Sequence, residues 1–160
     1  MQVLCTEKNQ LAPTLLAYKL RIAMTSTRSN EMIAERDITL LHFQGWPDLD
    51  IPTEDGQLAG LSELLKQLVT LYAGSNGSKK AIVHCRGGHG RTGTFVTILA
   101  RMLQIFHGTE STISLAETLL ALRNQRAHLC ETEEQFCFAM ELTRSNMARA
   151  MIQAIQSNQQ

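Results

Sequence analysis

The segment that most constrains this chain lies at its midpoint: Val83-His84-Cys85-Arg86-Gly87-Gly88-His89-Gly90-Arg91-Thr92-Gly93. Its first residue closes a short apolar run, Ala81-Ile82-Val83. After it, Phe95, Ile98, Leu99, Met102, Leu103 and Phe106 recur at helical spacing up to Gly108. A buried strand, a tight loop and a helix are predicted in that order. Gly87, Gly88 and Gly90 let the loop curl with its N–H groups turned inward. Such a nest at a helix N-terminus is an anion site, and a tetrahedral dianion fits it. Arg91 opens the helix and offers a planar fork for two phosphate oxygens. The same field acts on Cys85. A free thiol titrates at about 8.5, and helix N-termini with nearby cations lower this to roughly 3.5–7.5. Cys85 is expected to be largely thiolate, with Thr92 donating to its sulfur. A cysteine at a strand end is by itself more often a small buried hydrophobe. Here the strand before, the helix after and the glycines between favour a nucleophile. His84 reads as a structural hydrogen-bonding residue, and Arg86 and His89 as either phosphate contacts or solvent-facing side chains.

The rest of the chain supplies a scaffold. Its 160 residues are one domain's worth, 44% apolar, and residues 153–160 read as a Gln-rich frayed tail. Fifteen Lys+Arg balance fifteen Asp+Glu, which argues against a nucleic-acid binder and a polybasic membrane anchor. No apolar stretch approaches the roughly 18 residues of a membrane span. Pro13 and Lys19 break the only candidate signal-peptide core. Four scattered cysteines suit a reducing, cytoplasmic compartment better than a disulfide scaffold. Leu16, Tyr18, Leu20, Ile22 and Met24 alternate, predicting a strand over Thr14–Met24, and Ile38–Phe43 predicts a second. Leu58, Leu61, Leu64, Leu65, Leu68, Val69 and Tyr72 predict a helix ended by Gly74, with Asp50–Gly56 as a loop before it. Leu115, Leu119 and Leu122 predict another helix. The last opens at Thr132-Glu133-Glu134-Gln135, which has capping-box form, and runs through Phe136, Met140, Thr143, Met147 and Met151. The class is α/β, with a central mixed, partly parallel sheet flanked by helices.

The central loop resembles the His-Cys-x5-Arg-Thr/Ser-Gly signature of the cysteine-dependent protein tyrosine phosphatases. Trp46-Pro47-Asp48 resembles that family's mobile acid loop. Arg123-x-x-Arg126, followed by Glu131-Thr132-Glu133-Glu134-Gln135-Phe136-x-Phe138, resembles its Gln-Thr-x-x-Gln-Tyr-x-Phe stretch. The resemblance runs from about Thr14 to Leu142 and implies hydrolysis of phosphotyrosine in a protein substrate. It makes Cys85 the nucleophile that forms a phosphocysteine. Asp48 is then the acid for the leaving phenolate and the base for the water that follows. Arg91 and the amides of Arg86, Gly87, Gly88, His89 and Gly90 hold the phosphate. It implies no cofactor and no metal. Trp46 is expected to pack as a hinge. Gln135 has two readings, a residue that positions water and the reciprocal partner of the Thr132 cap. Arg123 and Arg126 are expected to brace the loops rather than merely solvate a helix end.

Three departures bear on the expectation. Glu131 stands where the family usually has glutamine, and a carboxylate beside a phosphocysteine either slows hydrolysis by repulsion or reorganises the water. Leu49-Asp50-Ile51-Pro52 lacks the family's usual glycine after the acid. The upstream tyrosine-containing loop and bracing carboxylate of larger members are not identifiable, so either a segment is missing or the enzyme is trimmed. Other readings of the same site are a phosphoinositide or inositol phosphate phosphatase and a phosphotyrosine-binding pseudoenzyme. A bacterial effector acting in a host cytosol is a minority reading. Oligomeric state and physiological substrate are not legible.

Overall fold

The alternating segment predicted over Thr14–Met24 becomes the middle strand of an antiparallel sheet. The computed structural model describes residues 1–29, 31–75, 78–109 and 112–157. β1 (Gln2–Ala12), β2 (Leu15–Thr25) and β3 (Met32–Phe43) pair in the order β1-β2-β3. The register sets Tyr18 opposite Leu40 and Leu20 opposite Ile38, so the apolar parity of β2 meets apolar residues of β3. β3 extends six residues earlier than the apolar pattern predicts. Its polar start is held by Arg21, whose Nε lies 3.0 Å from Asp37 Oδ1 and 3.4 Å from Glu35 Oε1. β1 was not predicted because all its residues except Ala12 are exposed, so its sequence carries no buried face to alternate. Every paired strand among the described residues is antiparallel. The class is α/β as expected, without a parallel pair in this sheet.

The chain forms two compact units, Met1–Gly45 with Thr53–Leu64, and Trp46–Pro52 with Leu65–Gln160. The first contains the sheet and the start of α1 (Asp55–Ala73). α1 begins inside the segment predicted as loop. Gln57 Oε1 accepts from the amides of Thr53 and Glu54, and the Thr14 hydroxyl donates to Gly56 O at 2.9 Å. The Gln57 contacts satisfy amides just ahead of the helix that would otherwise be orphaned, and the Thr14 bond ties the turn before β2 to the first turn of α1. The predicted stripe is buried at Leu61, Leu65, Leu68 and Val69.

In the second unit α2 (Gly90–Phe106) packs against α3 (Leu115–Gln125), α4 (Glu133–Arg144) and α5 (Asn146–Ser157). Phe95, Ile98, Leu99 and Met102 bury its predicted face. It ends in a Schellman turn at Gly108 (φ 68), with Thr109 N bonded to Gln104 O and Gly108 N to Ile105 O. α3 opens with a full capping box between Ser114 and Glu117 that the apolar spacing did not reveal. The final predicted helix is two. Ser145 takes an extended backbone at the end of α4, and its hydroxyl accepts from Ala148 N to start α5. The buried residues there are Ala148, Ile152 and Ile155. The Met147 side chain lies outside what is described. Residues 153–157 continue α5 rather than fray, and 158–160 lie outside the described residues. Among the described residues no helix is long and apolar enough to cross a membrane.

Ala81–Val83 is a correction. It is not paired as a strand, and Ile82 is 93% exposed. A three-residue apolar run becomes a buried strand only where a neighbouring strand takes its backbone groups. Among the described residues none does; its recorded tie is Ala81 N donating to the Tyr72 hydroxyl at 3.2 Å.

One glycine of α2 is required by packing. A Cβ at Gly93 would overlap the backbone of Leu129 and Cys130. Gly93→Ala is therefore expected to destabilise by about 1–3 kcal/mol, the usual cost of overpacking. Gly74→Ala, where the nearest atom would be Thr70 O at 3.5 Å, is the matched control and should cost little. Urea unfolding of both variants checks the contrast.

Candidate active site

Cys85 is half-buried at the start of the glycine-rich loop, which curls back over its sulfur. Gly88 N donates to Cys85 Sγ at 3.2 Å, and Gly88 adopts φ 76, a turn that a Cβ would strain. Burial pushes the thiol up. The Thr92 hydroxyl and the amides of Thr92, Gly88 and His89 outweigh it by favouring the anion, and the thiol is lowered to about 7. Thr92 Oγ1 is buried with no other hydrogen-bonding partner among the described residues, so the sulfur is the group it can serve. His84 is exposed, and its Nδ1 lies 3.3 Å from Cys85 O, in line with a structural role.

The loop is braced from α3. Arg126 Nε donates to Gly88 O at 3.0 Å and its Nη2 to Gly87 O at 3.4 Å. With the carbonyls held outward, the amides are free to face inward. Arg123 performs the same service one loop later, donating to Leu129 O at 2.8 Å and Cys130 O at 2.6 Å. His89 O joins the two loops by accepting from both Gly93 N and Cys130 N. His128 (φ 63) and Cys130 (φ 58) hold left-handed backbone there without being glycine. Sequence reasoning gives His128 no place in the site and puts Cys130 only near the expected water-positioning region.

The acid loop lies across the same cleft. Asp48 Oδ1 is 2.8 Å from Arg91 Nη2, and Arg91 Nη1 donates to Trp46 O at 3.3 Å. Trp46 anchors the loop as expected of a hinge. Its Nε1 donates to Asp50 O at 2.9 Å, and its ring meets Phe138 edge-on at 6.1 Å. Just past the acid, Leu49 takes φ 61 and is exposed.

Asp48, Leu49, Cys85, Gly87, His89, Gly90, Arg91, Glu131 and Gln135 line one narrow cleft of about 50 Å³. Arg86 is not among them; its side chain is exposed. A wider hollow of about 530 Å³ is lined by His89, Arg123, Ala127, His128 and Glu131. Gln135 does not act as the reciprocal partner of the Thr132 cap. Thr132 caps α4 by accepting from Gln135 N, but the Gln135 side chain does not return the bond to Thr132. Its Oε1 accepts from Glu131 N at 2.9 Å, and its Nε2 is left buried without a partner among the described residues. The arrangement brings one thiol lowered to about 7, N–H donors, a guanidinium and a carboxylate to a single cleft.

Comparison with known proteins meets this geometry. The profile of the family described as protein-tyrosine phosphatase matches residues 1–145. Human receptor-type tyrosine-protein phosphatase alpha is 33% identical over 131 residues, 79% of this chain and 15% of the relative. Tyrosine-protein phosphatase 3 of Dictyostelium discoideum is 29% identical over 126 residues, 76% of this chain and 13% of the relative. The solved catalytic domain of human protein tyrosine phosphatase non-receptor type 18 superposes with a TM-score of 0.69 at 24% identity, covering 93% of this chain and 48% of that one. A second structure, PTPN18 in complex with HER2-pY1196 phosphopeptides, superposes at 0.66 and 22% identity. This chain thus spans 13–15% of these two curated relatives and about half of the solved catalytic domain. With the signature loop, the acid loop and the Gln135 segment gathered on one cleft, and a family match over 145 of its residues, the chain belongs to the protein-tyrosine phosphatase family.

Proposed function

We propose that the protein hydrolyses phosphotyrosine in protein substrates through a phosphocysteine. The observation that carries this reading is the Cys85 thiol at about 7, under amides that face where a phosphate would lie and beside the Arg91–Asp48 pair. The phosphate dianion displaces Asp48 from the Arg91 fork and takes the loop amides as donors. Cys85 attacks phosphorus in line while Asp48 protonates the departing phenolate oxygen. The donors stabilise the equatorial oxygens in the transition state. Water then attacks phosphorus, its proton passing to a carboxylate of the cleft, and sulfur leaves as the thiolate that Thr92 and the amides favour. The complex of PTPN18 with phosphopeptides supports a phosphotyrosine-peptide ligand for a related fold. The exposed position of Arg86 gives the phosphoinositide reading no extra cation in the cleft. A lowered thiol beside an intact acid and arginine disfavours a binding-only role. The chemistry needs a free thiol, so we place it in a reducing, cytosolic compartment.

Cys85→Ser is expected to abolish turnover of a phosphotyrosyl peptide and of para-nitrophenyl phosphate while leaving phosphate-site binding intact. Calorimetry with vanadate or peptide reads the second half, and steady turnover by the serine variant would remove the covalent step.

Alkylation by iodoacetate reports the thiolate. Because the Cys85 pKa is lowered to about 7, the anion is present above that pH. The alkylation rate should rise through a midpoint near pH 7 and then level off. Thr92→Val removes one stabilising donor and should move the midpoint upward, towards the ordinary thiol value of about 8.5. A wild-type midpoint already at that ordinary value would contradict the proposed activation.

Asp48→Asn should lower kcat by roughly 10²–10⁴-fold on phosphotyrosyl peptide, the usual worth of a general acid. The loss should shrink as the leaving group becomes more acidic. A series of aryl phosphates of graded phenol pKa measures it, and a flat series would exclude the acid role.

A further inference from the structure

Glu131 and Gln135 converge on one point of the cleft. A Cβ built at Gly90 would lie 3.0 Å from Gln135 Nε2, 3.1 Å from Gln135 Oε1 and 3.0 Å from Glu131 Oε2. Only the absence of a side chain at Gly90 leaves this space open. The Gln135 side chain is fixed there, because its residue is 1% exposed and its Oε1 is tied to Glu131 N. The Nε2 that remains is a buried donor without a protein acceptor among the described residues. A buried donor of this kind asks for an acceptor, and a water molecule serves. Glu131, in contrast, is exposed at the rim, and its carboxylate has no ion pair among the described residues. Asp48 is differently placed, since its carboxylate is held by Arg91 at 2.8 Å.

Resting on the phosphocysteine reading above, we propose that Glu131 is the general base of the second step. It takes over from Asp48 the proton of the hydrolytic water. The water accepts a hydrogen bond from Gln135 Nε2 and donates one to Glu131 Oε2. That orientation leaves its other lone pair directed away from both side chains, towards the cleft that holds Cys85. As the oxygen–phosphorus bond forms, the O–H bond to Glu131 breaks and the proton passes to the carboxylate. The phosphorus–sulfur bond breaks with its electron pair returning to Cys85, and inorganic phosphate leaves. Glu131 then releases its proton to solvent, which its exposed position allows. Acid and base duties are thus divided between two carboxylates, Asp48 for the leaving phenolate and Glu131 for the entering water. The departure from glutamine at this position becomes a change of role rather than an obstacle.

The test is rapid-quench kinetics on the full chain with a phosphotyrosyl peptide, stopped by denaturant and following phenol release and phosphocysteine separately. In Glu131→Gln, the burst of phenol release should stay within about threefold of wild type. Decay of the phosphocysteine should slow by roughly 10²-fold or more, the usual worth of a general base, so that the intermediate accumulates. Asp48→Asn should show the reverse, a slower burst with little change in decay. Decay in Glu131→Gln that is unchanged or faster would overturn the proposal, leaving the residue as a helix-end charge or a brake. Decay slowed by Asp48→Asn alone would return both duties to Asp48. Equal slowing of burst and decay in Glu131→Gln would mark a distorted cleft and also overturn it, and a thermal melt of the variant gives the size of that distortion. If wild-type protein forms no phosphocysteine while turning over substrate, the covalent reading itself fails, a result distinct from any of these.

Discussion

The Arg91 guanidinium is the group on which the rest of the site depends, because two different anions compete for it. Without a phosphate its fork holds Asp48 Oδ1 at 2.8 Å and the Trp46 carbonyl at 3.3 Å. This contact draws the acid loop over the thiol. The Asp48 side chain is 63% exposed, and a pair open to water in this way is worth only about 0–1 kcal/mol. A dianion bound through two parallel N–H bonds is a stronger partner for the same fork. On the proposed reading, the exchange frees Asp48 from the guanidinium when the substrate arrives, while the Trp46 carbonyl still keeps the loop near the arginine.

Holding such a site open to a ligand requires backbone that no helix or sheet would choose. Leu49, His128 and Cys130 all adopt positive φ, and all lie in the loops that shape the cleft. Each left-handed residue with a Cβ costs roughly 1–2 kcal/mol. The surrounding contacts over-determine them. Trp46 Nε1 fastens the chain just past Leu49, and Arg123 takes the carbonyls of Leu129 and Cys130. Cys130 N is bound to His89 O. The same bond sets the 126–131 loop against the phosphate loop, so strain in one is offset by order in both. Gly93 permits this close approach of backbone to helix.

What was legible in the sequence follows from how local each determinant is. The Cys85–Gly93 loop, the acid loop and the α2 stripe depend on residues within a few positions of one another, and each forms where the pattern put it. The class followed from the succession of strands and helices, and the family from three ordered motifs. Strand β1 and the polar half of β3 depend on cross-strand pairing that no single strand's periodicity encodes. Ala81–Val83 had the composition of a buried strand but has no strand partner among the described residues, which composition does not report. At Gln135 the motif was right and its bonding was not. Thr132 caps the helix alone, and Gln135 Oε1 accepts from Glu131 N instead. The Asp48–Arg91 pair links residues 43 positions apart and could be found only in three dimensions.

The last question is which of two opposed effects governs a carboxylate beside a phosphocysteine. Repulsion between unit charges at 4 Å amounts to about 1 kcal/mol in water and about 4 kcal/mol at the effective dielectric near a protein surface. Glu131 is exposed at the rim, and the wider hollow lined by His89 and His128 shares it with the cleft, so solvent and counterions reach its charge. The penalty therefore belongs near the lower of those figures for each phosphate charge. A positioned base contributes roughly 10²–10⁴-fold, which is about 3–5 kcal/mol of barrier. On the proposal that Glu131 is the base, the base effect wins so long as water is held between the carboxylate and phosphorus, the duty given to Gln135 Nε2, which has no partner among the described residues. Had Gln135 Oε1 accepted from Thr132 N instead, the side chain would have been turned to the helix start, and the charge at Glu131 would have acted as repulsion alone.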